Sequence, residues 1–236
     1  RQMVNTWKSA SEHLLQTRLM EESEIRITSS STPGTYIIPS LIYLFRQSYP
    51  YITVINHIQY TRSAISDVIG GNFSLGIISQ PASVGTDVLC CEPLMEDPLV
   101  LVVHPQHPWA EKRGILFKEI TEETLLISNP NTSLVNYLEK EGRLSLEPSR
   151  LYVAGNIEAI KRGIRNHQGI SIMSEYAVRQ ELELGLLKQV PLLDHPGLKR
   201  QLYTIFRKDT RFKLSTSLFL EFFRKAAEDN RLLSQL

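Results

Sequence analysis

The chain has 236 residues, 42% of them hydrophobic, enough to bury a real core in one large domain or two small ones. Its 26 Lys and Arg against 25 Asp and Glu leave a formal charge of +1, which excludes a strong field drawing the chain onto DNA phosphates or an acidic membrane. The longest apolar stretches, such as Pro98 to Val103 and Gly169 to Met173, fall far short of the roughly 20 residues that cross a bilayer, so no membrane partner is expected.

The first segment places Met3, Trp7, Ala10, Leu14 and Thr17 at steps of four and three, which predicts a helix over residues 1–22. About two and a half heptads are marginal alone, so this helix needs a partner from its own domain or another chain. The pattern begins in mid-repeat, and the expectation is that something upstream has been cut away. From Glu24 the period changes to two, with Ile25 and Ile27 apolar between Arg26 and Thr28, as in a strand.

Ser29-Ser30-Ser31-Thr32 then runs into Pro33, which predicts a helix capped at Thr32, because proline is best tolerated in a helix's first turn. That helix carries Ile38, Leu41, Ile42 and Phe45 and ends at Tyr49-Pro50, with Pro39 expected to bend or restart it. A strand at Ile52 to Ile58, a short helix capped near Thr61, a Gly70-Gly71-Asn72 turn and a buried strand at Leu75 to Ile78 complete a β-α-β-α-β run. Strands and helices alternating at this length imply a mainly parallel sheet with right-handed crossovers.

Cys90 and Cys91 stand side by side in an apolar stretch, where a disulfide between neighbours is strained, so both read as reduced strand residues. After the run Pro98 to Val103 the alternation resumes. A helix is predicted near Phe117 to Ile120, a strand at Leu125 to Ser128, and a helix opened by Asn129-Pro130-Asn131-Thr132-Ser133. Strand Leu151 to Ala154, helix Ile157 to Arg165, strand Gly169 to Met173 and a helix from Glu175 ended by Gly185 form the second set. A strand at Leu202 to Phe206 and an amphipathic helix with Leu218, Phe222 and Phe223 close the chain.

Two hydroxyl- and amide-rich turns follow strand ends and precede helices, the place where open parallel sheets bind ligands. Ser30, Ser31 and Thr32 in one, with Asn129, Asn131, Thr132 and Ser133 in the other, suit an anion or carboxylate, and ordinary capping is the competing reading. Thr61 and Arg62 start a third helix that could face the same ligand, and a solvated Arg62 is the alternative. His104 reads either as a residue facing such a site or as a surface turn, and the Lys161-Arg162 and Arg165 face as solvated.

Against an enzyme, the sequence has no Gly-x-Ser-x-Gly elbow, Gly-rich phosphate loop, His-Glu-x-x-His or Cys-x-x-Cys, and no metal or cofactor is expected.

The run Ser29 to Tyr36, Ile38-Pro39 and Phe45-Arg46-Gln47-Ser48-Tyr49-Pro50 resembles the opening of the effector domain of LysR-type transcriptional regulators. Glu92-Pro93-Leu94, Leu99 to Pro105 and His107-Pro108 resemble its middle, and Asn156 to Lys161 with Gly169 to Ser174 its second half. The resemblance implies an α/β fold of two Rossmann-like subdomains joined by two crossing strands, of the type 2 periplasmic-binding-protein kind. Residues 24–97 with 206–236 would form subdomain I, 98–205 subdomain II, and 1–22 the end of a linker helix. The crossings are expected near Asp97 to Leu101 and Gln201 to Phe206.

The resemblance also implies an effector in the inter-subdomain cleft, held by Ser30, Ser31 and Thr32, by Asn131 and Thr132, and by backbone at Ile172 and Met173, with Thr61 and Arg62 as further contacts. Pro33 departs from the family by removing an N–H at the helix start. The implied partners are a small polar effector and a second or further copies of the chain, with DNA reached only through an absent N-terminal domain in the cytoplasm. The alternatives are an extracytoplasmic solute-binding protein of the same fold, and an enzyme built on it.

Overall fold

The computed structural model describes residues 24–79, 87–130, 133–142 and 147–228. The helix expected over 1–22 therefore lies outside the described residues. The chain divides into two compact units, which exchange along the chain between Met95 and Glu96 and between Leu202 and Tyr203.

In the first unit, β1 (Glu24–Ser30) lies between β2 (Thr53–Gln59) and β3 (Leu75–Ser79), parallel to both. Its sheet runs in the order β2-β1-β3-β9-β4, where β4 is Leu89–Val103 and β9 is Lys199–Arg207. β2 is thus an edge and β1 is interior, which matches their burial: Ile25 and Ile27 are fully covered, while Thr53, His57 and Ile58 are exposed. β3 is buried at every position, as a central strand of a parallel sheet should be.

The helix after β1 starts two residues earlier than the sequence suggests. α1 spans Ser31–Tyr36, so Ser30 occupies the N-cap position and makes no side-chain cap bond, and Thr32 is a first-turn residue. Ile37 then breaks the helix, and α2 (Ile38–Ser48) begins afresh with Pro39 in its first turn, the restart expected of that proline. α2 buries Ile38, Leu41 and Phe45, and Phe45 meets Phe219 edge-on at 5.2 Å on α7 (Leu214–Glu228). α3 (Thr61–Ile69) has Tyr60, with no side-chain bond, at its N-cap, so Thr61 is its first residue and not its cap. Ala64 and Val68 pack beneath it with Phe73, Ile78, Leu89 and Ile205.

β4 explains the uninterrupted apolar run near residue 100. In the second unit its side chains alternate between two cores. Leu99, Leu101 and Val103 pack with Trp109, Phe117, Ile120, Leu125, Ile170 and Ile172, whereas Val100 and Val102 pack with Leu126, Ile160, Ile164, Met173 and Val178. A strand covered on both faces has no polar phase to show. There β4 pairs antiparallel with β7 (Ser171–Ser174) and with β8 (Lys188–Val190), and β5 (Leu125–Ile127) pairs parallel with β6 (Leu151–Val153). 3-10 helices at Phe117–Glu122 and Pro148–Arg150, with α4 (Ser133–Gly142), α5 (Ile157–Arg165) and α6 (Glu175–Glu183), also belong to this unit. β8 carries two exposed polar residues in three and had no visible period in the sequence.

The Lys161, Arg162 and Arg165 face needs a correction. Arg162 and Arg165 are exposed as expected, but Lys161 is only 6% exposed, with its Nζ 2.9 Å from Glu158 and 2.8 Å from Glu181 on α6. Among the described residues no helix is long and apolar enough to cross a membrane.

Candidate functional site

In the first unit, parallel pairing brings the expected residues together. β1 and β2 run side by side with Ser30 opposite Gln59, so both strands end at the same edge of the sheet. From that edge α1 departs with Ser31 and Thr32, and α3 with Thr61 and Arg62. Ser30 and Thr32 are buried, Ser31 and Thr61 are half-buried, and Arg62 is exposed. Four hydroxyls and a guanidinium thus gather at two adjoining strand ends, a set of donors suited to an oxyanion.

Amide side chains of β2 hold this edge in place. Ser29 Oγ donates to Asn56 Oδ1 at 2.7 Å, and Asn56 Nδ2 donates to the carbonyl of Gly34 in α1 at 3.2 Å. Gly34 is needed here, since a Cβ on it would lie 2.4 Å from Ser29 Oγ and 2.8 Å from Ile58 Cγ1. On the neighbouring register, Gln59 Nε2 donates at 2.8 Å both to Thr28 Oγ1 and to Asp67 of α3. Asn72 Nδ2 donates to the other Asp67 oxygen at 2.9 Å, and these bonds, that from Gln59 foremost, hold the Asp67 carboxyl below its usual pKa.

In the second unit, Asn131 and Thr132 lie outside the described residues. Ile172 and Met173 sit side by side on β7 with their side chains buried in the two different cores, so only their backbone could meet a ligand. Directly after them Ser174 Oγ donates to Asp97 Oδ1 at 2.5 Å, and Arg200 Nε donates to Asp97 Oδ2 at 2.7 Å, all three residues being buried. The sequence reading missed this cluster, since one carboxylate between Glu96 and Pro98 carries no periodic signal. Asn56 and Gln59 were missed too, although polar amides interrupting the apolar residues of β2 were a usable clue.

His104 stacks on His167 with ring centroids 3.6 Å apart, and its Nδ1 accepts the Gln106 N–H at 3.0 Å. Cys90 and Cys91 are both free thiols, with pKa values raised above the ordinary thiol, chiefly by burial. Among the described residues no group of three or more His, Cys, Asp or Glu side chains is arranged to hold a metal ion.

The family model described as the LysR substrate binding domain matches residues 20–228. The chain belongs to that family. A probable RuBisCO transcriptional regulator of Cyanidium caldarium is 32% identical over 196 residues, which cover 81% of this chain and 61% of that protein. Its counterpart in Trichormus variabilis is 28% identical, over 76% of this chain and 55% of the relative. The LysR domain in hand therefore spans about three fifths of the length of the curated relatives it matches.

Among solved structures, the Synechocystis PCC6803 CcmR regulatory domain in complex with 2-PG shares the fold at a TM-score of 0.75 and 23% identity, covering 87% of this chain and 98% of that one. The effector binding domain of QuiR in complex with shikimate does so at 0.73 and 21%, covering 87% and 97%. The two-unit α/β architecture is thus the type 2 periplasmic-binding-protein-like fold of LysR regulatory domains.

Proposed function

We propose that this LysR domain senses a small, anionic metabolite and forms the regulatory part of a cytoplasmic, DNA-binding transcriptional regulator. The observation that carries the reading is the gathering of Ser30, Ser31, Thr32, Thr61 and Arg62 at the adjoining ends of β1 and β2. The family resemblance assigns further effector contacts to Asn131, Thr132 and the backbone at Ile172 and Met173. The relatives' naming as transcriptional regulators, and the 2-PG and shikimate held by the CcmR and QuiR domains, support the same reading. Its action is binding without chemistry, with DNA contacted by a separate domain and further copies of this domain as partners.

The test is direct. A thermal-shift screen with 2-PG, shikimate and inorganic phosphate selects a probe, because a ligand at a hundred times its Kd adds about 2.7 kcal/mol of stability. Thr32→Val and Thr132→Val keep the side-chain shape and remove one hydroxyl donor each. Each is expected to weaken the selected probe by roughly tenfold to a hundredfold in calorimetric titration, the equivalent of a charge-assisted bond. The melting temperature of each ligand-free variant is measured alongside, since a hydroxyl that only stabilises its helix lowers that and leaves affinity alone. Parent-like affinity in both variants removes the assignment.

A further inference from the structure

We infer that Asn56 is a positioning residue of the effector site, a staple across the hydroxyl turn, and that Gln59 plays the same part for the start of α3. The inference rests on the reading above that the end of β1 meets the effector. One amide side chain touches both flanks of the turn: Asn56 accepts from Ser29 at 2.7 Å, one residue before Ser30, and donates to the Gly34 carbonyl at 3.2 Å, two residues after Thr32. Everything between these anchors is the segment that carries Ser30, Ser31 and Thr32.

The close approach at Gly34 shows how tightly this end of α1 is seated, with Ser29 Oγ and Ile58 Cγ1 both within 2.8 Å of where a Cβ would stand. Gln59 lies three residues beyond Asn56 and so faces the opposite side of β2. It bonds Thr28 and Asp67 at 2.8 Å each, and Asp67 is held a second time by Asn72, which fixes the helix that begins with Thr61 and Arg62.

A strand pair needs no such bonds for its own stability, because the β1 and β2 ladder and apolar residues such as Ile25 and Ile27 already join them. Apolar side chains at positions 56 and 59 would fill the same space without orienting anything. Hydrogen-bonding amides fix angle as well as distance, and a binding site needs its donors held to a fraction of an ångström. The two amides, on opposite faces of one edge strand, therefore register α1 and α3 to the same strand end.

The experiment is a double-mutant cycle in calorimetric titration, with 2-PG, shikimate and inorganic phosphate as probes. Parent, Asn56→Leu, Thr32→Val and the double variant are compared, each at a temperature where its melting curve shows it folded. Asn56→Leu is expected to weaken binding by about tenfold, and the double variant to bind within about threefold of the weaker single, because a staple acts through the hydroxyl it holds. Losses that multiply, or an Asn56→Leu variant that binds as the parent does, overturn the inference while leaving the effector reading intact. Should Asn56→Leu not fold, Ser29→Ala, which releases one anchor by deleting a single oxygen, replaces it in the same cycle with the same expected outcome. A parent that binds none of the three probes removes the effector reading and this inference together.

Discussion

Lys161 carries its charge into the contact between α5 and α6, where its Nζ meets Glu181 at 2.8 Å while Glu158 reaches it from the exposed side at 2.9 Å. Glu181 is itself 16% exposed, so removing the lysine leaves a carboxylate poorly solvated and unpaired. Lys161→Met is expected to destabilise the domain by about 2 to 4 kcal/mol in urea denaturation, and adding Glu181→Gln to restore a good part of that. A double variant no more stable than the single one would mean that the lysine's packing, not its charge, is what matters. The burial was legible in the spacing, since Lys161 stands four residues after Ile157 and three before Ile164, on the stripe those residues define. The adjacent Arg162 and Arg165 masked it, because a basic run in the letters is not a basic face on the helix. Ile172 and Met173 teach the complementary lesson: neighbours on a strand face opposite ways, and in a strand buried on both sides neither side chain is left for a ligand.

The loop after β4 and the end of α5 meet through two histidines, and that junction should respond to acid. His104 stacks on His167 at 3.6 Å, while His107 accepts the Trp109 N–H at its Nδ1 and has Nε2 3.6 Å from Glu123. Protonating Nδ1 of His104 would break its bond with the Gln106 N–H and place a cation against another imidazole. Burial, followed by His167 and His107, holds the His104 pKa below its ordinary value. Burial also lowers that of His107, against an opposing pull from Glu123, with His167 and then Lys112 adding smaller pushes downward.

Groups lowered in this way bind protons more readily when the chain is unfolded. The stabilisation is therefore complete above the ordinary histidine value of about 6.5 and is lost as pH falls below it toward the lowered values. Melting temperatures taken between pH 7.5 and 5.5 should fall for the parent and fall less for His104→Gln; equal slopes would discount the pair. Sequence periodicity located most elements because α5 and the amphipathic helices bury one clear face. It passed over β8, whose residues are mostly exposed, and in the first half of β4, where partial burial blurs the alternation, it read only Cys90 and Cys91 as strand residues.

At the scale of the molecule, the parallel β2-β1-β3 core was legible because β1 and β2 are each followed by a helix with its own stripe. The antiparallel pairing of β4 with β7 and β8 was not, because the direction of a strand that arrives from the other unit is a property of the whole chain path. Among the strands that this topology leaves at a sheet end are β2 in the first unit and β6 in the second. An unpaired strand edge invites another chain unless charge or cover protects it. Neither strand carries an Asp, Glu, Lys or Arg residue: Ile58 on β2 is 49% exposed and Tyr51, two residues before the strand, 67%, while Tyr152 and Val153 on β6 are 46% and 51% exposed. Apolar residues clustered on an edge in this way mark an interaction surface better than they mark a solvated one. The expected outcome is a dimer or higher even oligomer, read as mass by sedimentation equilibrium over a range of concentrations. Val153→Lys and Tyr51→Glu put charge on each edge without touching the Asn56 and Gln59 bonds, so each should move the mass toward the monomer while leaving probe binding in place. A monomer mass in the parent at every concentration would show that both edges are solvated surfaces and nothing more.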